Sequence, residues 1–260
     1  MKKSLMLISL VFLFAMVMPS QSFSVGLEFA VGVWDQSPQG ELSYEELSGF
    51  DTLDLEDDLN YDDETRIFAR LKIDMPLVIP NIYLMATPMD FDENSRLNRS
   101  VKFGDITIPV NVPFSSELTL DHFDVALYYG IPGLEMATAD MLNIEIGINI
   151  RIYDFEGKVE ILSGPTAGLT ESEDFTAPVP MIYLAAQLRP LKKLAIEAEA
   201  RGIVLGDDKG YSLIARLKWK FLKPFFIAGG YRVDKIDVEE DDFTLDIDFS
   251  GVFGEAGIVF

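Results

Sequence analysis

The stretch Met141-Leu-Asn-Ile-Glu-Ile-Gly-Ile-Asn-Ile-Arg-Ile-Tyr153 decides the fold of this chain. Every even position from Leu142 to Ile152 is aliphatic, whereas the odd positions between them hold Asn, Glu, Gly, Asn and Arg. Because successive side chains on a β-strand point to opposite faces, the pattern predicts a strand with one aliphatic face and one polar face. Which of the two faces points outward indicates whether the protein is soluble or lies in a membrane.

The first 24 residues have the composition of a secretory signal peptide. Two lysines precede a mainly apolar run, residues 5–18, and the small residues Ser22 and Ser24 follow it. This order predicts removal of residues 1–24 and one mature domain, residues 25–260. An uncleaved anchor is disfavoured because the apolar run is short for a membrane span. The chain has no cysteine, and export without disulfides favours a Gram-negative envelope.

The charge of the chain is strongly negative and unevenly distributed. The formal net charge is −22, which argues against a nucleic acid partner. Residues 36–64 hold eleven acidic residues and neither Lys nor Arg. We therefore expect this segment to be an acidic loop.

The alternation of the opening stretch recurs along the chain, and no stretch after the signal peptide has the period of a helix. This pattern predicts an all-β fold, an up-and-down antiparallel β-barrel of ten strands, with eight and twelve as alternative counts. The predicted strands are residues 25–34, 66–75, 81–91, 115–129, 141–153, 181–189, 194–203, 211–221, 225–233 and a last strand that ends at residue 260.

Two longer segments between these strands are predicted as loops. Residues 92–114 contain Pro109 and Pro113, which cannot donate to a sheet ladder, and residues 154–176 are rich in Gly, Ser, Thr and Glu. In the last strand the aliphatic positions change from odd to even numbers near Gly251. A β-bulge would account for this change.

Alternation alone also fits a soluble barrel of the lipocalin type, with the aliphatic faces inside. Aromatic residues at the ends of the apolar faces, strands long enough to cross a bilayer and an apolar last strand favour the opposite arrangement. Turning the strand at residues 211–221 inside out would expose Arg216 and Lys218 to lipid, at about 2–4 kcal/mol each near the midplane. The sequence therefore predicts a transmembrane barrel in the outer membrane of a Gram-negative bacterium, with its polar faces inside.

The polar faces predict a lumen filled by charged side chains of both signs, because a ten-strand barrel leaves little interior room. The predicted lumen network consists of Arg66, Arg70, Glu145, Arg151, Glu197, Glu199, Arg201, Arg216, Lys218 and Arg232. The alternative is a conducting pore lined by the same residues.

The signal peptide, the alternating strands and the C-terminal aromatic residue resemble the bacterial outer-membrane β-barrel class. In that class the last strand and its final Phe are the assembly signal, which implies this role for Ile258 and Phe260. More narrowly, Asp54-Leu-Glu-Asp-Asp-Leu-Asn-Tyr-Asp-Asp-Glu-Thr65, followed by a strand and Pro76-Leu-Val-Ile-Pro-Asn-Ile-Tyr-Leu84, resembles a family of small outer-membrane proteins of unassigned function with an Asp-rich first loop. This resemblance implies no catalytic residues.

Alternate residues of the acidic loop carry oxygen atoms of the kind that bind calcium or magnesium. In an extended loop they would line one edge. The candidate ligands are Asp54, Glu56, Asp58, Asp62 and Glu64. The alternative is a solvated acidic loop, since the glycine and the ligand register of an EF-hand are missing. No other cofactor is expected.

His122 is the only histidine, with Asp124 two residues after it and Ser116 six residues before it. A hydrolase of the outer-membrane protease or lipase kind could use these groups. Motif matches of this grade mostly arise by chance, so we do not expect an enzyme.

These observations predict a structural or surface-interaction protein that acts through its acidic extracellular loops. The expected partners are outer-membrane lipid and lipopolysaccharide and the barrel-assembly machinery, and the expected state is a monomer. The alternative is a small-solute channel whose basic lumen favours anions. A His-dependent hydrolase is the third hypothesis.

Overall fold

The computed structural model describes residues 25–44, 52–76, 78–206, 208–240 and 243–260. The predicted signal peptide, residues 1–24, lies outside the described residues. Among the described residues, no helix has both the length and the apolar character needed to cross a membrane. The elements in chain order are β1 Gly26–Tyr44, β2 Leu53–Asp54, β3 Glu64–Asp74, β4 Asn81–Thr87, β5 Asp90–Arg96, β6 Val101–Phe103, β7 Ile106–Ile108, β8 Pro113–Gly130, α1 Leu134–Ala137, β9 Leu142–Ile161, β10 Thr170–Leu191, β11 Leu194–Leu205, β12 Asp208–Leu222, β13 Phe225–Glu240 and β14 Phe243–Val259.

These strands form a closed antiparallel barrel with ten strands in its wall. Neighbours in the wall follow chain order, and β14 pairs with β1 to close it. Strands β4 and β5 act as one wall strand interrupted at Pro88 and Met89, because both pair with β8. The predicted fold and strand number are therefore confirmed. Closure matters because an unpaired strand edge is too costly in hydrocarbon.

The aliphatic face of β9 points outward, as predicted. Ile148 is 62% exposed, whereas Asn149 and Arg151 are buried. Outward-facing apolar side chains on the other wall strands continue this surface around the barrel, and we call it the apolar belt. Representative members are Val31, Ile67, Leu127, Ile182, Ile196, Leu213, Leu217, Ile227 and Val252. An apolar outer surface around a polar interior is the arrangement of a transmembrane barrel.

The two ends of the barrel differ in their connections. Tight turns join β10 to β11 and β12 to β13 at the end that also holds Gly26 and Val259. The long connections from β1 to β3 and from β5 to β8 lie at the opposite end, which is the extracellular end in barrels of this kind. Residues 131–141, which contain α1, connect β8 to β9 at the first end.

The hydrophobic pattern of the strands inverts at the extracellular side of the apolar belt. Beyond Ile152, β9 exposes Asp154 and Glu156 and buries Phe155 and Val159. The barrel therefore continues above the membrane with an apolar interior and a polar exterior. The prediction of a loop at residues 154–176 is wrong, because most of it belongs to β9 and β10. Its many polar side chains face water on the outside of a strand.

The same inversion explains the last strand, where the predicted β-bulge is not found. The register between β1 and β14 is the same on both sides of Gly251, with Trp34 opposite Phe253 and Ser37 opposite Ser250. Odd-numbered residues face inward throughout. The aliphatic residues change from odd to even positions because they face the barrel interior above the membrane and face lipid within it.

Residues 92–114 also contain more strand than predicted. They include the end of β5 and the β6–β7 hairpin, in which Val101 pairs with Ile108. Both of these side chains are fully buried. The hairpin therefore contributes to the apolar interior at the extracellular end.

Candidate functional site

Charged side chains fill the barrel interior within the apolar belt. Arg70 donates to Glu255 from Nε at 2.9 Å and from Nη2 at 2.7 Å, and its Nη2 lies 2.8 Å from Glu28 Oε1. Lys218 Nζ also donates to Glu28 Oε1, at 2.8 Å. These residues come from β1, β3, β12 and β14, so the ion pairs connect both sides of the barrel closure.

A second set of contacts joins β11 to its neighbour β12, and β3 to β9 across the interior. Arg216 donates to Glu199 at 2.6 Å and to Glu197 at 3.2 Å. Arg201 donates to Glu199 at 3.1 Å. Lys72 donates to Glu145 at 2.9 Å. Each cation therefore has a carboxylate within hydrogen-bond distance, as buried charges require.

A third set lies nearer the extracellular end. Asp124 accepts hydrogen bonds from Arg151 Nε and Nη2, each at 2.9 Å, and from Asn149 Nδ2 at 2.7 Å. Arg232 donates to Asp234 at 2.6 Å, and its guanidinium lies 4.3 Å from the ring centroid of Trp34. A cation over an aromatic face gains further electrostatic stabilisation when both are desolvated.

We call these three sets the interior network, and it is closely packed. Its arginines are at most 3% exposed, so water has almost no access to them. A side chain that lines a water-filled pore would be exposed to that pore. The network contains as many carboxylates as cations: Arg70, Lys72, Arg151, Arg201, Arg216, Lys218 and Arg232 with Glu28, Asp124, Glu145, Glu197, Glu199, Asp234 and Glu255.

The structure brings together every predicted lumen residue except Arg66. The Arg66 side chain is 27% exposed and bonds Asp90 at 2.6 Å, at the extracellular side of β3. Its parity on the strand is that of Arg70, but it bonds the carbonyl and the exposed carboxylate of Asp90 on β5 and not the network. The predicted lumen network lacks Asp234, because the predicted strand ends at Val233.

An apolar cavity of about 440 Å³ lies above the interior network, in the extracellular part of the barrel. Its wall includes Leu118, Leu120, Phe155, Val159 and Leu245. These residues face inward on β8, β9 and β14 at levels where the outside of the barrel is polar. The inversion of the strand pattern therefore creates this cavity.

Residues 52–63 of the predicted acidic loop cover the cavity, and we call this segment the acidic lid. Its odd-numbered residues Leu53, Leu55, Leu59 and Tyr61 are buried, and Leu53, Leu59 and Tyr61 line the cavity. Ser95 Oγ donates to the Leu59 carbonyl at 2.5 Å. The alternation of leucine with acidic residues indicates one buried face in this segment. The prediction of a polar loop does not use this pattern.

The candidate calcium ligands do not line one edge, because the lid folds into turns. Asp54 Oδ1 accepts hydrogen bonds from the backbone N–H groups of Glu56 and Asp57, at 2.9 and 2.8 Å. Asp58 instead accepts two hydrogen bonds from Arg99, at 2.8 and 2.6 Å. In the part of the chain that the structure describes, no three His, Cys, Asp or Glu side chains gather as a metal site.

The remaining predicted ligands, Asp62 and Glu64, lie after the turns, and Glu64 already belongs to β3. The extended geometry required by the ion hypothesis is therefore absent from the described residues.

Two titratable groups of the acidic lid have shifted pKa values. Partial burial acts to raise the pKa of Asp58, but the hydrogen bonds and charge of Arg99 hold it below its ordinary value. Burial raises the pKa of Tyr61 well above its ordinary value, although a hydrogen bond with Ser116 acts in the other direction. The Tyr61 phenol is therefore neutral at physiological pH, and it adds no charge to the cavity.

His122 is buried and engaged by its neighbours. Its Nδ1 lies 3.2 Å from the Leu120 carbonyl, and its Nε2 lies 2.9 Å from Arg232 Nη2. Ser116 is six residues away on the same strand, which corresponds to roughly 20 Å at the rise of a β-strand. The structure therefore does not bring these two groups together.

The predicted assembly residues lie at the end of the barrel opposite the cavity. Ile258 in β14 pairs with Phe29 of β1 and Phe225 of β13. Phe260 is largely exposed, and its backbone exchanges hydrogen bonds with Leu27.

The fold is similar to that of solved bacterial outer-membrane proteins. The outer membrane protease OmpT from Escherichia coli matches with a TM-score of 0.50 and 10% identity, over 94% of this chain and 99% of that chain. The translocator domain of the autotransporter NalP from Neisseria meningitidis matches with 0.49 and 11%, over 90% and 88%. The attachment invasion locus protein Ail of Yersinia pestis matches with 0.36 and 8%, over 92% and 100%. No family model and no curated protein matches this chain.

The closed ladder, the apolar belt and the similarity in fold to OmpT define the class. The chain is an outer-membrane β-barrel protein, and its predicted location in the Gram-negative outer membrane is confirmed. At these identities the similarity concerns the fold alone, so function has to be argued from the residues of this chain.

Proposed function

We propose that the protein is a closed barrel that does not conduct solutes and that acts at the cell surface through its extracellular part. The observation that carries this proposal is the interior network. Its side chains meet across the whole barrel and exclude water from their surfaces, and its charges are balanced. A pore selective for anions would need uncompensated cations along an open path.

The extracellular part supports a role outside the membrane. The strands extend well beyond the apolar belt, and their outer faces carry acidic side chains such as Asp154, Glu156 and Glu160. This surface favours basic partners, or lipopolysaccharide bridged by divalent cations, over anionic ones.

A hydrolase is a weaker proposal for this chain. A general base needs an accessible lone pair within reach of its nucleophile. His122 is buried against Arg232, and Ser116 lies far along the strand. These positions support a structural role for the histidine.

Planar bilayer recording tests the proposal. Purified protein whose folding is verified by heat-modifiable migration should insert without steady conductance. A double variant, Glu199→Ala with Arg216→Ala, removes a matched pair from the network and should open transient currents while keeping the charge balance. Steady, large conductance of the unmodified protein would overturn the proposal in favour of a channel.

A further inference from the structure

The extracellular wall of the barrel has an opening beside β10. This strand pairs with β9 from Thr170 onward, but its ladder with β11 begins only at Ile182, which is opposite Gly202. Above that level β10 rises beyond the end of β11 at Leu205. We call this opening the gap.

The gap connects the cavity with the outside. Phe175 lies on the inward-facing side of β10 and lines the cavity, yet it is 42% exposed. Side chains at the same level on β9, such as Phe155, are buried. The exposure of Phe175 therefore comes from the gap.

The lower edge of the gap lies at the top of the apolar belt. Ile182 and Val204 point outward there and are 62% and 68% exposed. Below this level β10 pairs with β11 without interruption as far as Leu188, and β11 pairs with β12 along its whole length. The cavity therefore opens sideways, next to the outer surface of the membrane.

The cavity has the size and the chemistry of a site for an apolar ligand. Its volume of about 440 Å³ lies within the range of small-molecule sites, roughly 300–1,000 Å³. The charged residues in its wall are Lys158, Glu117 and Glu173. Lys158 and Glu117 neutralise each other through an exposed ion pair of 2.7 Å. Glu173 lies on β10, at the border of the gap. The buried polar groups are the neutral hydroxyls of Tyr61, Ser116 and Tyr153.

The charge around the gap selects against anions. The edge of β10 that borders it carries Glu171, Glu173 and Asp174. These carboxylates repel the head group of a fatty acid or a phospholipid and have no effect on an uncharged molecule. An ammonium ligand is disfavoured inside the cavity, because the wall beyond Glu173 is largely apolar and burying an unpaired charge there is costly.

We propose that the cavity binds a small uncharged apolar molecule, which enters through the gap between β10 and the β11–β12 hairpin. The inference rests on the proposed function in one respect, since the closed interior network makes the cavity a dead end that retains its ligand. Binding buries apolar surface on both partners, which supplies the driving force.

Photolabelling tests the proposal with the full chain in lipid nanodiscs. The probe is 3-trifluoromethyl-3-(3-iodophenyl)diazirine, an uncharged aromatic molecule, and labelled residues are mapped by mass spectrometry. We expect saturable labelling of the peptide that contains Phe155 and Val159, with at least a tenfold reduction by excess naphthalene. Octanoate, an anion of similar size, should not compete. Labelling of the lipid-facing Ile148 should rise linearly with probe concentration and serves as the internal control.

Two variants fill the cavity from different strands. Ala177→Phe adds a ring on β10, and Gly157→Val adds an isopropyl group on β9, where the tip of the Phe155 ring must shift slightly. Each should reduce the saturable labelling at least tenfold. Thr176→Phe is the matched control, because this neighbouring side chain faces outward and should leave the labelling unchanged.

Labelling of Val159 that does not saturate, or equal competition by octanoate and naphthalene, would overturn the proposal. So would full saturable labelling in both filling variants, or a lipid acyl chain found in the cavity of the purified protein. If a filling variant fails to fold, the competition experiment on the unmodified chain still decides. The proposed function can fail independently of the proposed binding site. Steady bilayer conductance together with saturable labelling would refute the closed barrel and leave the binding site supported.

Discussion

Removal of the Asp124 carboxylate should destabilise the barrel by about 3 kcal/mol. Asp124 is fully buried and accepts two hydrogen bonds from Arg151 and one from Asn149. In Asp124→Ala the buried Arg151 guanidinium keeps a more distant carboxylate, Asp234, at 3.4 Å. Breaking a buried ion pair costs about 3–5 kcal/mol. The remaining Asp234 contact places the expected loss at the lower end, which is roughly a 150-fold change in the unfolding equilibrium.

The assay is equilibrium unfolding by urea in lipid vesicles, followed by tryptophan fluorescence and heat-modifiable migration. Asp154→Ala is the control on the adjacent strand, where the carboxylate is exposed and accepts a bond from Thr176. It should change the free energy of unfolding by less than about 0.5 kcal/mol. The double variant Asp124→Leu with Arg151→Met should recover most of the loss, because it removes both charges and keeps apolar volume.

The reasoning is refuted if Asp124→Ala loses less than about 1 kcal/mol, since a buried arginine cannot lose its main partner at so small a cost. It is also refuted if the double variant is no more stable than Asp124→Ala. That result would mean that the site depends on shape and not on paired charge.

Two further predictions concern the acidic lid and the barrel closure. Because Arg99 holds the pKa of Asp58 below its ordinary value of 3.8, their pair stabilises the lid above that value, and this contribution is lost as the pH falls through the lowered pKa. Asp58→Asn should therefore reduce hydrogen-exchange protection in residues 52–63 at pH 7 to the level seen in acid. Gly251→Ala should lower the melting temperature, because a Cβ there would overlap the Asp35 carbonyl oxygen across the β1–β14 closure. Overpacking of this kind costs about 1–3 kcal/mol.

Each of these predictions has a matched control. Glu56→Gln changes another acid of the lid that points to solvent, and it should leave the exchange protection unchanged at both pH values. Gly254→Ala lies three residues along β14, where an added Cβ meets no atom within 4 Å, so its melting temperature should match that of the unmodified protein. Equal protection in Asp58→Asn and the unmodified chain would contradict the role of the Arg99 pair. Equal melting temperatures for Gly251→Ala and Gly254→Ala would contradict the close approach of β1 and β14.

The members of the interior network could be read from the sequence with few errors. A charged side chain on a wall strand is costly in lipid, so the parity of Arg151 and Arg216 alone assigns them to the interior. Their partners could not be read in this way. Arg70 meets Glu255, which is far away in sequence, only because β14 pairs with β1. Arg66 shares the parity of Arg70 and still lies outside the network, because it pairs with Asp90 of β5, a partner that parity along β3 does not reveal.

The sequence by itself determined the period of two along each strand, the face that contacts lipid and the sign of the charge at the surface. These follow from local physics, since each side chain on a strand meets either lipid or the interior. The tertiary structure alone decided where the membrane ends along each strand. Above that level Phe155, Val159 and Leu59 are buried by side chains from other strands and from the acidic lid. The cavity and its gap depend on the relative lengths of neighbouring strands across the barrel, which no single stretch of sequence contains.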